Sequence, residues 1–392
     1  MMWRDGEVLA LRRSWGEAGR RCLELDVKIT AAPAGARGLL AGRACRAVAY
    51  EQLCGRPRPG ERVRLEVSAL DRGLGTGGHA MVAARLDVLP ADPPADGHLV
   101  KVRYMPDQVM VAGADEQGAA HHGVLSLPID GLGLDGAPVV VADLHSSLPA
   151  IVAGARAGAG DRPPRIVYVM TDGGALPLAY SRTAAALRRA GWIAGTVTAG
   201  QAWGGDLEAV SVHNGLLAAR HVLGAQIVVV IQGPGNLGTD TPWGFSGVAC
   251  GDAVNAVAAL GGRPVACLRI SQADARERHR GVSHHSLTAY GRVALAAADV
   301  VVPELAGALG ERVDAQARWL CGPRVVGARH RRVDVGVEGL REVLAGAERA
   351  VGVRLSTMGR GLEKDEAAFV AAAAAGRYAA AVAAGEVSSV GR

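Results

Sequence analysis

The chain has 392 residues, 49% of them hydrophobic and 21% charged, which allows more than one packed core and excludes intrinsic disorder. Its formal net charge of +5 comes from arginines scattered among acidic residues, Lys28, Lys101 and Lys364 being the only lysines, and no recognition-helix, zinc-finger or RNA-binding motif occurs, so no nucleic-acid partner is expected. The six cysteines are widely spaced and form no Cys-x-x-Cys pair, which excludes a disulfide framework or a zinc knuckle.

Early charges at Arg4, Asp5 and Glu7 leave no apolar export signal, and a cytoplasmic protein is expected. From residue 6 to about 86, β-rich runs at 7–11, 22–29, 45–50, 62–69 and 80–86 alternate with turn residues. This spacing predicts a small all-β barrel or sandwich over residues 1–90. The glycine-rich stretch at 73–78 reads as a turn between strands, with a ligand cradle as the alternative. Residues 88–98, with Pro90, Pro93 and Pro94, are too proline-rich for a core element and read as the linker to a second domain over 99–392.

From about Pro138 the pattern becomes strand then helix, repeated. Apolar runs at 139–142, 166–170, 193–197, 227–231, 265–270 and 300–302 are separated by helical stretches, which predicts an α/β domain: a predominantly parallel sheet covered by helices on both faces. Ser146 and Ser283 stand where helix N-caps are wanted, and Gly191 and Gly261 where C-terminal caps are wanted. The alanine-rich stretch at 367–384 is broken by Arg377 and reads as a terminal helix packed on the protein, not a membrane span.

In parallel sheets ligands bind outside the carboxyl ends of the strands, so the segments following these runs should converge on one rim. They carry Asp143 and His145, then Asp172, then Gln201 and Asp206, then Gln232, Gly233, Gly235, Asn236, Gly238 and Thr239, and finally Arg278, His284 and His285. The 232–239 loop resembles an anion cradle: its glycines allow close backbone approach, and a helix is predicted to start behind it. Its Gly-x-Gly-x-x-Gly spacing has no ribose-binding acid about 20 residues on, and a tight strand-to-helix turn is the alternative. Asp143, His145, Asp172 and His284 are the expected reacting groups: Asp143 and His145 as an acid-base pair, His284 or His285 as proton donor, or Asp143, His145, Asp172 and Asp206 as ligands of a divalent metal, although no His-x-x-x-His or His-Glu-x-x-His spacing names a metal. Arginines 276–280 next to a helix start favour a phosphate or carboxylate. His213, Cys250 and Cys267 read as structural.

The motifs at 141–146, 168–177, 232–239 and 281–290 resemble a bacterial family catalogued only as a domain of unknown function. That resemblance implies a bacterial, actinobacterial-type cytoplasmic protein and carries no catalytic residues. A stretch at 233–236 is also similar to the proprotein subunit of glycine-type reductases. The comparable segment at 198–206 has no cysteine, so no self-cleavage or pyruvoyl group is expected. The residues together suggest an enzyme, hydrolase or transferase, acting on a small anionic metabolite, with a non-catalytic metabolite sensor or an interaction scaffold as alternatives. Cofactor and metal dependence and homo-oligomerisation stay open.

Overall fold

The computed structural model describes residues 1–75, 77–93, 97–323 and 325–387. Thr76 of the glycine-rich turn and residues 94–96 of the proline-rich linker lie outside the described residues. The chain forms two compact units, one of residues 1–111 with 179–185 and one of residues 112–178 with 186–392.

In the first unit, β1 (Trp3–Trp15), β2 (Cys22–Ala31), β3 (Ala44–Tyr50), β4 (Arg62–Glu66) and β5 (Ala80–Arg85) close a barrel in the order β1-β2-β3-β5-β4. The β3–β5 pair is parallel and the other pairs are antiparallel, and a short helix, Glu51–Cys54, follows β3. This is the arrangement of an OB-type barrel. Alternation places Leu23, Leu25, Val27 and Ile29 of β2 and Val63 and Leu65 of β4 inside. β1 is longer than the sequence run suggests because it pairs with both β2 and β4 and absorbs the bend through register shifts after Asp5, Val8 and Leu11. A hairpin of β6 (Leu99–Lys101) and β7 (Val109–Val111) ends this unit.

One carboxylate is buried in the barrel wall. Glu24, 1% exposed, is paired with Arg13, lies 2.9 Å from His79 Nε2 and 3.5 Å from Arg46 Nη1. Burial pushes its carboxyl up, but the hydrogen bonds and charges of Arg13 and His79 outweigh this and hold it down to about 2. A carboxylate with a depressed folded-state pKa stabilises the fold fully above its unfolded value near 4.5, and that stabilisation is lost as pH falls toward 2. Arg13 is half exposed, so solvent screening limits the effect to on the order of 2 kcal/mol. Urea unfolding of wild type and Glu24→Gln should therefore converge as pH falls from 5 to 2, and parallel curves would contradict the assignment.

In the second unit eight strands form one parallel sheet: β8 (Pro138–Ala142), β9 (Ile166–Thr171), β10 (Gly195–Ala199), β11 (Leu207–Ala209), β12 (Ile227–Gln232), β13 (Arg263–Cys267), β16 (Asp299–Pro303) and β17 (Arg331–Val335). The order across the sheet is β11-β10-β9-β12-β8-β13-β16-β17. Two short pairs lie outside it, β14 (Ile270–Ser271) with β15 (Gly281–Val282), and β18 (Ser356–Thr357) with β19 (Arg360–Gly361). The central strands are buried along their whole length, as strands covered on both faces must be. Val139 and Val141 face a core that includes Val254 and Val257 of helix Cys250–Ala259. The opposite face is covered by helix Glu366–Ala383, which packs on β8, β13 and β16 and along helix Leu148–Gly158.

Those last two helices touch backbone to backbone. A Cβ at Gly154 would lie 1.9 Å from Ala373 O, and one at Gly376 would lie 1.9 Å from Ile151 O. The alanine run is therefore the contact face of a close helix pair, and no helix among the described residues is long and apolar enough to cross a membrane. Helix propensity alone predicts that Gly376→Ala gains up to about 1 kcal/mol. The packing predicts a loss of about 2–3 kcal/mol instead, because two backbones must separate. Denaturant midpoints decide between the two signs.

Ser283 caps its helix as expected, accepting from His285 N at 3.2 Å, whereas Ser146 does not cap. Its hydroxyl points to Thr357 Oγ1 at 3.1 Å, and helix Leu148–Gly158 starts instead with Pro149 in its first turn, which has no N–H to satisfy. Gly191 and Gly261 adopt the left-handed conformation expected after a helix.

Candidate functional site

Neighbouring strands β8 and β12 send their chains to opposite faces of the sheet, β8 into helix Leu148–Gly158 and β12 into helix Cys250–Ala259. A crevice opens where such connections diverge. The first residue after β8, Asp143, is 4% exposed, and its backbone carbonyl accepts from Nε2 of Gln232, the last residue of β12, at 2.8 Å. Just past β13, Arg269 Nη1 lies 3.5 Å from Asp143 Oδ2 and 2.9 Å from His285 Nδ1. The His285 ring nitrogen is itself 3.4 Å from Asp143 Oδ2. Asp143, Gln232, Arg269 and His285 thus meet at one place, although they come from three strand ends.

Local sequence fixes the histidines. Ser283 Oγ caps the short helix through His285 N and also sits 2.7 Å from His279 Nδ1, tying the His279 ring to the start of the helix that carries His284 and His285. His285 stacks on Phe245 with ring centroids 3.8 Å apart and planes 3° from parallel. His284 lies 4.5 Å from His285 and 4.9 Å from His279, centroid to centroid.

Burial and the neighbouring cations disfavour protonation of His279 and His284. His284 is pushed down to about 4 and His279 to about 3, in both cases mainly by burial and then by surrounding positive charge. Burial pushes the Asp143 carboxyl up, but the His285 ring and the Arg269 guanidinium outweigh it and hold it below the ordinary range. At neutral pH the site therefore holds the Asp143 carboxylate and, in His279 and His284, uncharged imidazoles.

Beside Asp143 lies a cavity of about 520 Å³, lined among others by Asp172, His213, Gln232, Ser246, Gly247 and Asp252. Two glycines are part of its wall. A Cβ at Gly247 would lie 2.9 Å from Asp143 Cβ, and one at Gly173 would lie 2.1 Å from Gln232 Oε1. Only glycine lets the start of the helix behind β12 approach the end of β8 this closely.

The expected residues fall into two groups. Gln232 and Asp172 line the cavity, Asp172 accepting from Gln201 N at 3.0 Å on the exposed rim, while Asp143 and Asn236 lie against Gly247 of its wall, and His285 and then His284 follow beside Asp143. Gly233 is buried against Met170 and Leu176. His145 is used structurally: its Nδ1 is 3.1 Å from Tyr168 OH and its ring bonds the Gln232 backbone, which locks β8, β9 and β12 together, and burial pushes it down to about 4. Asp206 accepts from Thr196 N and Oγ1 and pairs with Arg188, latching the start of β10 and not its carboxyl end. The tip of the 232–239 loop closes on itself. Thr239 N bonds Gly244 O at 2.7 Å, Ser246 N bonds Leu237 O at 2.9 Å, and Gly235, Gly238 and Thr239 are exposed, so the Thr239 N–H serves the turn. Arg278 pairs with Asp240 on that tip, and Arg276 is bound by Asp274.

Sequence reasoning did not select Arg269, His279, His213 or Asp252. Arg269 ends an apolar run, and Asp252 sits in the first turn of a helix, so neither stands out. The spacing His279-x4-His284-His285 is the one signal that was readable beforehand.

These features define a parallel α/β protein with a polar crevice at its topological switch point. The chain belongs to the family described as protein of unknown function (DUF3866), whose model matches residues 46–376. No curated protein and no solved structure matches it.

The Gly247 contact yields a test of the wall. Gly247→Ala should lower stability by about 1–3 kcal/mol in urea unfolding, because the new methyl must displace Asp143 or the helix start. An unchanged midpoint would mean that the two segments are not in contact.

Proposed function

We propose that this protein binds a small polar metabolite carrying an anionic group at the carboxyl ends of β8, β9 and β12, and acts on it as a hydrolase or group-transfer enzyme. One observation carries the reading. Among the described residues, the buried side-chain nitrogen and oxygen atoms that lack a hydrogen-bond partner are Asp143 Oδ2, Gln232 Oε1, Asn236 Nδ2, Arg278 Nε and His284 Nε2. Gln232 is the last residue of β12, and the others follow β8 (Asp143), β12 (Asn236), β14 (Arg278) and β15 (His284). Folded proteins pair nearly all buried polar groups, and each one left unpaired costs about 1–3 kcal/mol. A concentration of them at a strand-end crevice is what a site prepared for a polar ligand looks like.

The kinds of atom narrow the ligand. Asn236 Nδ2 and Arg278 Nε are donors and ask for an acceptor such as a carboxylate or phosphate oxygen. Asp143 Oδ2 and Gln232 Oε1 are acceptors and ask for a hydroxyl, amine or water proton. A hydroxy acid or sugar phosphate offers both kinds. His284, neutral and within reach of the Asp143–His285 pair through the adjoining ring, supplies the group that can take up a proton during the reaction. Six free cysteines fit a reducing, cytoplasmic setting.

A thermal-shift screen of hydroxy acids, sugar phosphates and nucleotides against wild type and His284→Leu tests this. A true ligand at 100 times its dissociation constant should stabilise the wild type by about 2.7 kcal/mol. The variant should lose that response while its ligand-free stability stays level or rises by about 1 kcal/mol, since an unpaired buried nitrogen is removed. A large drop in ligand-free stability would mark His284 as a packing residue. A ligand that binds without being consumed would leave the site and remove the catalysis.

A further inference from the structure

We propose that His279, His284 and His285 form a binding site for a divalent first-row transition ion of the zinc type. One ring nitrogen from each lies within 4.8 Å of the others. In a tetrahedral zinc site with bonds of 2.0–2.1 Å, ligand atoms sit about 3.3 Å apart. Rotation of the rings by an ångström or so therefore closes the set.

Three observations support the assignment. First, the nitrogens are available. His279 uses Nδ1 on Ser283 Oγ at 2.7 Å, which leaves Nε2, and His284 Nε2 is buried without any hydrogen-bond partner. His285 has Nδ1 between Arg269 and the Asp143 carboxylate, which leaves its Nε2. Second, the outer partners are those that orient metal-binding imidazoles. A hydroxyl stands behind His279 and a carboxylate, 4% exposed and short of a hydrogen bond at Oδ2, stands 3.4 Å behind His285. For His285 to ligate through Nε2, its proton must sit on Nδ1 and face Asp143, and Arg269 must turn to that carboxylate, 3.5 Å away. Third, the positive field that helps keep His279 and His284 unprotonated is partly offset. Arg269, Arg276 and Arg278 surround the cluster, but each is paired with a carboxylate, on Asp143, Asp274 and Asp240 respectively. Three imidazoles without a thiolate suit zinc, cobalt, nickel, copper or iron better than magnesium or calcium.

Three protein ligands leave a coordination position open, so the ion would belong to the crevice described above; the inference rests on that reading of the site as a ligand crevice, and with the ion bound His284 would be a ligand and not the proton acceptor. Its test is nevertheless separate. The full chain is stripped with a chelator and titrated with Zn²⁺ by calorimetry and with Co²⁺ by visible absorption. One equivalent per chain should bind, with the intense visible bands of four-coordinate cobalt. His279→Ala and His284→Gln should each abolish stoichiometric binding, and Asp143→Asn should weaken it about 10–100-fold. Far-UV dichroism of the stripped variants must match wild type, and His284→Gln, at a half-buried position, guards against a variant that merely fails to fold. Failure of folded wild type to take up either ion, or uptake unaffected by His279→Ala and His284→Gln, would overturn the proposal. Stripped protein that binds an organic ligand but no ion would overturn the metal and leave the metabolite reading intact. Uptake of the ion with no organic ligand in the screen would do the reverse.

Discussion

The arrangement depends on the hydrogen bond between Gln232 Nε2 and the Asp143 carbonyl. It joins the ends of two adjacent parallel strands at the point where the chain leaves one toward each face of the sheet. His145 repeats the tie from the other side, through Tyr168 and the Gln232 backbone. With both strand ends fixed, Asp143 cannot retreat to solvent, and its carboxylate has to be met by Arg269 and His285. The carboxylate in turn orders the histidine segment. Geometry set by backbone topology thus becomes a local electrostatic environment, in which burial and paired arginines keep imidazoles uncharged.

The polar groups near this point are held by a second network that does not enter the crevice. Asp365 accepts from Ser271 Oγ at 2.7 Å, from Gln272 N at 3.0 Å and from Arg360 Nε at 2.8 Å, and Arg360 also reaches Asp274 Oδ2 at 3.0 Å. Asp274 is held well below the usual carboxylate range, mainly by its hydrogen bond to Arg276. These bonds anchor the start of the loop that carries Arg276, Arg278 and His279. Its arginines are thereby largely committed to carboxylates, which is why an arginine-rich segment does not amount to an open anion site.

Much of the scaffold was legible in the sequence because burial on both faces leaves unbroken apolar runs. The runs at 139–142, 166–170 and 227–231 mark β8, β9 and β12 within a residue or two. Strand order was not legible, since nothing in Ile227–Gln232 says that it inserts between β8 and β9. The three-residue edge strand β11 is too short to show a period. At the site, Asp143 and Gln232 stand out as polar residues directly after apolar runs and His284 as part of an Arg- and His-rich stretch, and the structure brings their segments together. The self-closing tip at 237–246 was hidden because glycines that cradle an anion and glycines that make a turn look alike. Ser146 was misread for a related reason: a serine before a helix signals a cap only if its backbone is extended there, and Thr357, 211 residues away, holds this one.

The glycine-mediated contact of helices Leu148–Gly158 and Glu366–Ala383 also bears on biosynthesis. The later helix covers β8, β13 and β16, strands at the middle of the sheet. During synthesis that apolar surface has no lid until translation has passed residue 383, so the nascent unit must wait, part-formed and adhesive, for nearly its whole length. Such a chain is a natural client for chaperones that shield hydrophobic intermediates.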